Sequence, residues 1–573
     1  MVARRRRRAR IVVPVLSAIA LVALVASGCG ADAGDPAPET IDAASSPDLV
    51  RLVDVAHEVG LDFTHGAFRW APSGDPVAMM GSGVCWLDID GDGFLDLFAV
   101  NSYAEVESRQ WDAEGERPLS RLFHNDGGTF TDVTRASGAG LDVRGTGCVA
   151  ADLDLDGATD LYVTTARDNV LLWGDGRGGF TDGGAEAGVD AYGWHSGAAV
   201  GDVNGDGWPD LFVAGYTDLN RPLPEAVKGF PNTYEGVRDL LYLNKGPGPD
   251  GRVTFREVGE RLALDAARNY GLGAVFSDLD GDGDLDLYVA DDTNPNQLYL
   301  NEPTPDRSGG LGFRLIEAGR RTGADDPGSG MGVASGDVDA DAQVDLLVTN
   351  LGDQGHALLR NEGPPGPLRF VDETDDAGAL ASVLTGWGAS FVDLDLDTDQ
   401  DLLLANGEIP ITDLEADARR MGVYGNLATS GRPGRFDDLG ASTGLDDLGA
   451  INGRGLAVAD FDNDGDMDAA VNVVGSRLRL LENRGTAGNW LEVGFERFSP
   501  GAVVTVRLAD GRRLEREAHA GSSYLSSEDP RLHFGLGDDE VVDEVRVVWP
   551  DGTTTLKRSV RANQVLTVDE EES

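Results

Sequence analysis

The stretch Asp88-Ile-Asp-Gly-Asp-Gly-Phe-Leu-Asp96 constrains this chain most, because its arrangement of carboxylates returns six more times, starting at Asp152, Asp202, Asp278, Asp337, Asp393 and Asp460. Each copy has an acidic or amide side chain at relative positions one, three, five and nine. Carboxylates this close repel one another unless a hard divalent cation, which takes about six to eight oxygen ligands, neutralises them. The expected ligands are Asp88, Asp90, Asp92 and Asp96; Asp152, Asp154, Asp156 and Asp160; Asp202, Asn204, Asp206 and Asp210; Asp278, Asp280, Asp282 and Asp286; Asp337, Asp339, Asp341 and Asp345; Asp393, Asp395, Asp397 and Asp401; and Asp460, Asp462, Asp464 and Asp468. Calcium is the expected ion, up to seven per chain, with a backbone carbonyl at position seven and a Gly at position six for the turn. Ala342 and Thr398 replace that Gly, where positive φ strains a side chain, so the loops at Asp337 and Asp393 are expected to be the weakest. One acidic turn on a solvated surface needs no metal; seven in phase, with Asn204 the single departure from Asp, point to a shared purpose. Position two is always apolar and β-branched or aromatic runs flank the loops, so they join strands, not the helices of a calcium hand.

The chain has 573 residues, 41% of them apolar, with 78 Gly and 25 Pro, which fits a turn-rich all-β protein and not a disordered one. Its first residues read as a targeting signal: arginines at 4–8 and 10, an apolar run over 11–25, then Ala26-Ser-Gly-Cys29. A lipoprotein signal over 1–28 would leave Cys29 as the lipidated first residue, the only expected link to a membrane; an ordinary secretory leader is the alternative. Residues 29–48 read as a flexible tether. Removing 1–28 takes away six Arg and no acid, moving the net charge from −52 to −58. Nucleic acid is excluded as a partner on that ground. The remaining cysteines, Cys85 and Cys148, precede their loops by three and four residues on equivalent strands. They are either bridged, as export permits, or two separately buried thiols.

Around each loop the order repeats: a Gly-rich strand, the loop, a second strand, a connection, a third strand, a Gly turn and a fourth. Four short strands recurring seven times describe a seven-bladed β-propeller over 49–485. The seventh repeat lacks its fourth strand, while an orphan strand stands at 49–57, so the N-terminal strand is expected to close the ring. Residues 486–573 read as a separate small β-sandwich, with Asp510-Gly511 and Asp551-Gly552 as hairpin turns.

Gly-x-Gly precedes six of the loops, and His195-Ser-Gly197 the third. The side chains beside these glycines differ from copy to copy. Arg144, Trp194, His195, Tyr270, Met331, Trp387 and Arg454 are expected either to form a ligand rim at the propeller axis or to plug its channel. The long connections 101–120, 215–239 and 406–426 should open on the same face.

The acidic loops with their Leu-Tyr-x-Asn and Phe-x-Asp-Val partners resemble FG-GAP or VCBS-type calcium propeller repeats. Gly521-Ser-Ser-Tyr-Leu525, Leu532-His-Phe-Gly-Leu-Gly537, Val547-Val-Trp-Pro-Asp-Gly552 and Ala562-Asn-Gln564 resemble the ASPIC/UnbV domain. Together they are similar to the cartilage acidic protein family, here in a bacterial lipoprotein form. That resemblance implies an exported, cell-surface or periplasmic calcium-binding module with an adhesive or scaffolding role, an extracellular protein or glycan as partner, and no established catalytic residues. The alternative is a polysaccharide lyase or dehydratase that uses Arg144, His195, Tyr270 and Arg454 on the variable face.

Overall fold

Every acidic loop turns one strand back on the next, and the computed structural model shows seven four-stranded antiparallel sheets built on these hairpins. It describes residues 50–223, 229–264, 268–304, 310–363, 366–380, 384–485 and 488–570. The signal, Cys29 and the tether lie outside the described residues.

Sheet 1 runs Val84–Leu87, Asp96–Ala99, Arg121–Asn125 and Phe130–Asp132, neighbours in chain order. Sheets 2 to 7 open with Gly145–Ala151, His195–Gly201, Gly271–Ser277, Val333–Gly336, Gly386–Val392 and Gly453–Ala459. In sheet 7 the fourth place belongs to Leu52–Asp54, which pairs antiparallel with Arg479–Asn483. Each opening strand packs against the next, and that of sheet 7 packs against that of sheet 1. The apolar core lies between neighbouring sheets: Val84, Trp86 and Leu97 of sheet 1 bury against Ala457, Ala470 and Leu480 of sheet 7, and Val149 and Tyr162 of sheet 2 against Val200 and Leu211 of sheet 3. Alternation of side chains along each strand presents one face to each neighbour, which is why both faces are apolar.

Polar stitching follows the same order. Asn301, at the end of a third strand, donates its side-chain N–H to Val203 O of the preceding sheet's loop at 2.7 Å. Asn125 reaches Phe461 O, Asn244 Leu153 O, Asn361 Leu279 O, Asn426 Val338 O and Asn483 Leu394 O, each between 2.7 and 2.9 Å. Sheet 2 has Gly174 at this place, and the backbone N–H of Gly178 bonds Ile89 O instead. Each contact joins position two of one loop to the sheet that follows, and the contact from loop 7 returns to sheet 1.

Residues 488–570 add two sheets. Val503–Arg507 pairs with Arg513–Glu517 and with Val541–Val548, which pairs with Thr554–Arg561; the second sheet orders Leu532–Gly537, Asn489–Phe495 and Val565–Val568. Gly511 and Gly552 take positive φ in the two Asp-Gly turns. This region, read from sequence as a domain of its own, also makes backbone contacts with the repeats. Its segment 519–529 leaves the sheets and runs between the opening strands of the repeats. Ala520 O accepts from Val200 N, Ser523 exchanges two backbone bonds with Val333, Leu525 O accepts from Cys148 N, and Ser527 pairs with Val84 and Trp86. Gly83 is required here, since a Cβ on it would lie 1.6 Å from Leu525 O. Cys85 and Cys148, on the opening strands of sheets 1 and 2, form a disulfide.

If the asparagines hold neighbouring sheets together, Asn361→Ala, which orphans the buried carbonyls of Leu279 and Val344, should destabilise the chain by about 1–3 kcal/mol. Its guanidinium midpoint should fall; an unmoved midpoint would contradict the stitching.

Candidate metal centres

The backbone organises each loop before any ion is considered. The N–H of position six donates to the position-one carboxylate in all seven, at 3.1 Å from Gly93 to Asp88 and 2.6 Å from Gly207 to Asp202. Position six takes positive φ throughout, and so do the two side-chain-bearing substitutes, Ala342 at 64° and Thr398 at 91°. Position four does too, through Gly91, Gly205 and Gly281 but also Leu155, Ala340, Leu396 and Asn463. The sequence reading missed this second left-handed position; the Gly at position four in three copies was its signal.

Positions one, three and nine converge in loops 1 and 5, where one oxygen from each of Asp88, Asp90 and Asp96, or of Asp337, Asp339 and Asp345, lies within 4.8 Å of the others. In loops 2 and 4 the first three carboxylates meet in the same way. The donor set therefore consists of hard oxygens at one point, which fits a divalent cation. A second observation supports the fit: in loops 4 to 7 the Oδ1 atoms of Asp280, Asp339, Asp395 and Asp462 are buried with no hydrogen-bond partner. Four equivalent carboxylate oxygens aimed away from every donor are costly unless a cation stands there. Loop 3 differs, for Asn204 donates its amide N–H to Asp210 Oδ2 at 3.0 Å; turning the amide over would present its oxygen.

Position nine is the anchor. Asp286 is buried at the start of its strand and accepts from Leu279 N and Asn301 N. Burial is the largest cause raising its pKa to about 9, and Asp280 and Asp278 add to it against the backbone bonds. Asp160 and Asp345 are pushed up to about 8 by the same causes, and Asp210, Asp401 and Asp468 well above the carboxylate range. Without a counter-charge, burial favours the protonated form at these sites.

The C-terminal sheets supply cations of their own, which the sequence did not reveal because the contact is long-range. Arg516 is buried in a cavity of about 350 Å³ shared with Asp337 and Asp393, and its charge favours the ionised form of both. Arg512 donates to Thr398 Oγ1 at 2.7 Å, and Arg531 to Asp460 O and Asn463 Oδ1. The two loops lacking Gly at position six therefore face a fixed guanidinium.

The residues expected either to form a rim or to plug a channel, Arg144, Trp194, His195, Tyr270, Met331, Trp387 and Arg454, are buried. Tyr524 of the inserted segment meets Trp387 edge-on at 5.0 Å and bonds Met80 O. Arg454 stacks on Trp387 at 3.8 Å and donates to Met79 O, Gly453 O and Glu408 O. Tyr270 donates to Tyr234 O, and Met331 packs in the same apolar cluster as Tyr524. The segment turns back on itself through the Ser522–Ser526 bridge, with Tyr524 packed among these residues. Arg144, Trp194 and His195 do line a groove, but off the axis, between the ends of sheets 2 and 3. The long connections carry their own structure there: a helix at Ser108–Glu114 and a hairpin of Thr217–Pro222 with Tyr234–Gly236.

Family models agree with this division: FG-GAP-like repeat matches residues 88–163, 152–213 and 278–348, and ASPIC and UnbV matches 493–573. Cartilage acidic protein 1 of Homo sapiens is 24% identical over 508 residues, 85% of this chain and 71% of that protein. The chain is similar to cartilage acidic protein 1 over most of its length. The Mus musculus protein is 26% identical over 444 residues, 74% of this chain, and the chain spans 64% of it. Among solved structures, an Agrocybe aegerita lectin that recognises non-reducing terminal N-acetylglucosamine shares 14% identity with a TM-score of 0.37, over 70% of this chain and 94% of that one.

The position-nine carboxyls give a pH test. Their folded pKa values lie above the unfolded value near 3.8, so the cation-free fold binds more protons than the unfolded chain up to about pH 8–9. Its stability must then fall as pH rises through that window. The melting temperature in chelator should be lower at pH 8.5 than at pH 5.5, and millimolar calcium should abolish or reverse the difference. A chelated melt independent of pH would contradict the protonated state.

Proposed function

We propose that the chain is an exported, calcium-braced, seven-bladed propeller that acts as a non-enzymatic interaction module. The observation that carries it is the set of buried position-three oxygens without donors, because one cation in each loop would satisfy them all. The neighbour contacts that return from sheet 7 to sheet 1, with Leu52–Asp54 completing sheet 7, support a closed ring. The two C-terminal sheets, sharing one apolar core that includes Leu491, Val504, Phe534 and Val547, support a small sandwich. Export is supported by the disulfide and by the leader reading of 1–28. Among the described residues no helix is long and apolar enough to cross a membrane, which agrees with attachment through Cys29 or none.

A binding role is favoured over a lyase because Tyr270 and Arg454, two of the four residues such chemistry would recruit, are tied into structural hydrogen bonds around Tyr524. The partner is an extracellular protein or glycan. Calcium would be held by positions one, three, five and nine and supplies the charge that lets these carboxylates ionise together.

Extracellular calcium sites have dissociation constants of about 10⁻⁴–10⁻³ M. At ten times that concentration each site adds about 1.4 kcal/mol, so seven add about 10 kcal/mol. For a chain of this length that is about 10 °C. Differential scanning calorimetry should show a loss of this order on adding chelator; an unchanged melt would remove the proposal.

A further inference from the structure

We infer that the off-axis groove between the ends of sheets 2 and 3 binds an acidic oligosaccharide, one whose sugars carry carboxylate or sulfate groups. The inference rests on the interaction-module reading and gives it a ligand class. The groove has a volume of about 690 Å³, inside the range of about 300–1,000 Å³ usual for ligand clefts. It opens at the strand ends opposite the acidic loops.

Its charge sets it apart. The chain carries 99 acidic against 47 basic residues, yet the groove is lined by five arginines, Arg144, Arg167, Arg221, Arg238 and Arg268, against Glu105 and Asp218, with Asp75, Glu235, Glu257 and Glu260 pairing three of them from behind the lining. Several of these guanidinium groups are incompletely used. The Nε–H of Arg238 is buried without an acceptor. Arg144, Arg221 and Arg238 are paired with Asp75, Glu235 and Glu260, at 3.1 Å for Arg221 and 3.3 Å for Arg238, whereas Arg167, 62% exposed, reaches Glu105 only at 3.6 Å. Arg268 has no carboxylate partner among the described residues. Guanidinium forks match the two oxygens of a carboxylate or sulfate better than ammonium groups do.

The sugar part follows from Tyr192. Its ring is 66% exposed, more than any other aromatic side chain among the described residues, and it lines this same groove. An apolar ring held in water beside cationic groups supplies the flat face on which a pyranose stacks, while the arginines take its acidic substituents. A phosphopeptide would use the arginines but leaves the ring without a role.

The test uses the full chain in millimolar calcium. Titration calorimetry is run with a heparin-derived octasaccharide, an oligogalacturonate, a neutral dextran oligosaccharide and a phosphopeptide. The inference predicts binding of at least one acidic sugar, weakening with salt, and none of the neutral one. Arg167→Glu with Arg268→Glu should weaken it at least tenfold and Tyr192→Ala about fivefold. No binding of either acidic sugar, or binding that survives the arginine reversals, overturns the inference. So does equal binding of the phosphopeptide with no effect of Tyr192→Ala. A calcium-dependent melt retained in the same variants assigns such a failure to the groove alone, whereas loss of calcium dependence in the parent chain sinks the propeller reading first.

Discussion

Charge neutralisation at the position-nine carboxylates is the constraint from which the rest of this structure follows. Each of these side chains is buried at the start of a second strand, where it accepts the N–H of position two in its own loop and, in most sheets, the N–H of the asparagine ending the third strand. That asparagine then bonds the loop of the sheet before. One ionisable group thus ties hairpin, sheet and neighbour, and its charge state is coupled to all three. A buried carboxylate is tolerable only when paired, and the oxygens at positions one, three and five that surround it are themselves negative. A divalent ion in each loop would resolve the conflict.

The C-terminal region meets the same conflict by other means. Arg516, Arg512 and Arg531 stand against loops 5, 6 and 7, and Glu517 accepts from Asp278 N in loop 4. The region therefore rests on the acidic ends of the repeats, and its segment around Tyr524 packs among their opening strands. Arg454, buried and lowered to about 9 by that burial, is held there by three carbonyls and the Trp387 ring. The packing around Trp387 and Arg454 is completed by Tyr524, which lies well beyond the last repeat in sequence.

Local and periodic features were legible in the chain. The loops, their hairpins, the strained Ala342 and Thr398, and the two Asp-Gly turns all depend on residues within ten positions of one another. The orphan strand at Leu52–Asp54 was legible because a repeat array shows its gaps. Contacts between distant segments were not. Nothing in Gly521-Ser-Ser-Tyr-Leu525 says that it packs among the opening strands, so the variable residues beside the glycines could be read from sequence as either a rim or a plug. In fact Gly83 makes room for Leu525, and Trp387 and Met331 surround Tyr524. The asparagine stitch was visible as a repeated residue but not as a bond, since its acceptor lies one repeat back.

The most direct test of the account is the number of calcium ions each chain holds, measured by equilibrium dialysis in millimolar calcium for the parent and for Asp280→Asn and Asp462→Asn. The account predicts several ions per chain and the loss of about one with each substitution, while the circular dichroism of strands is kept. A chain that binds no calcium, or a stoichiometry indifferent to both substitutions, would contradict it.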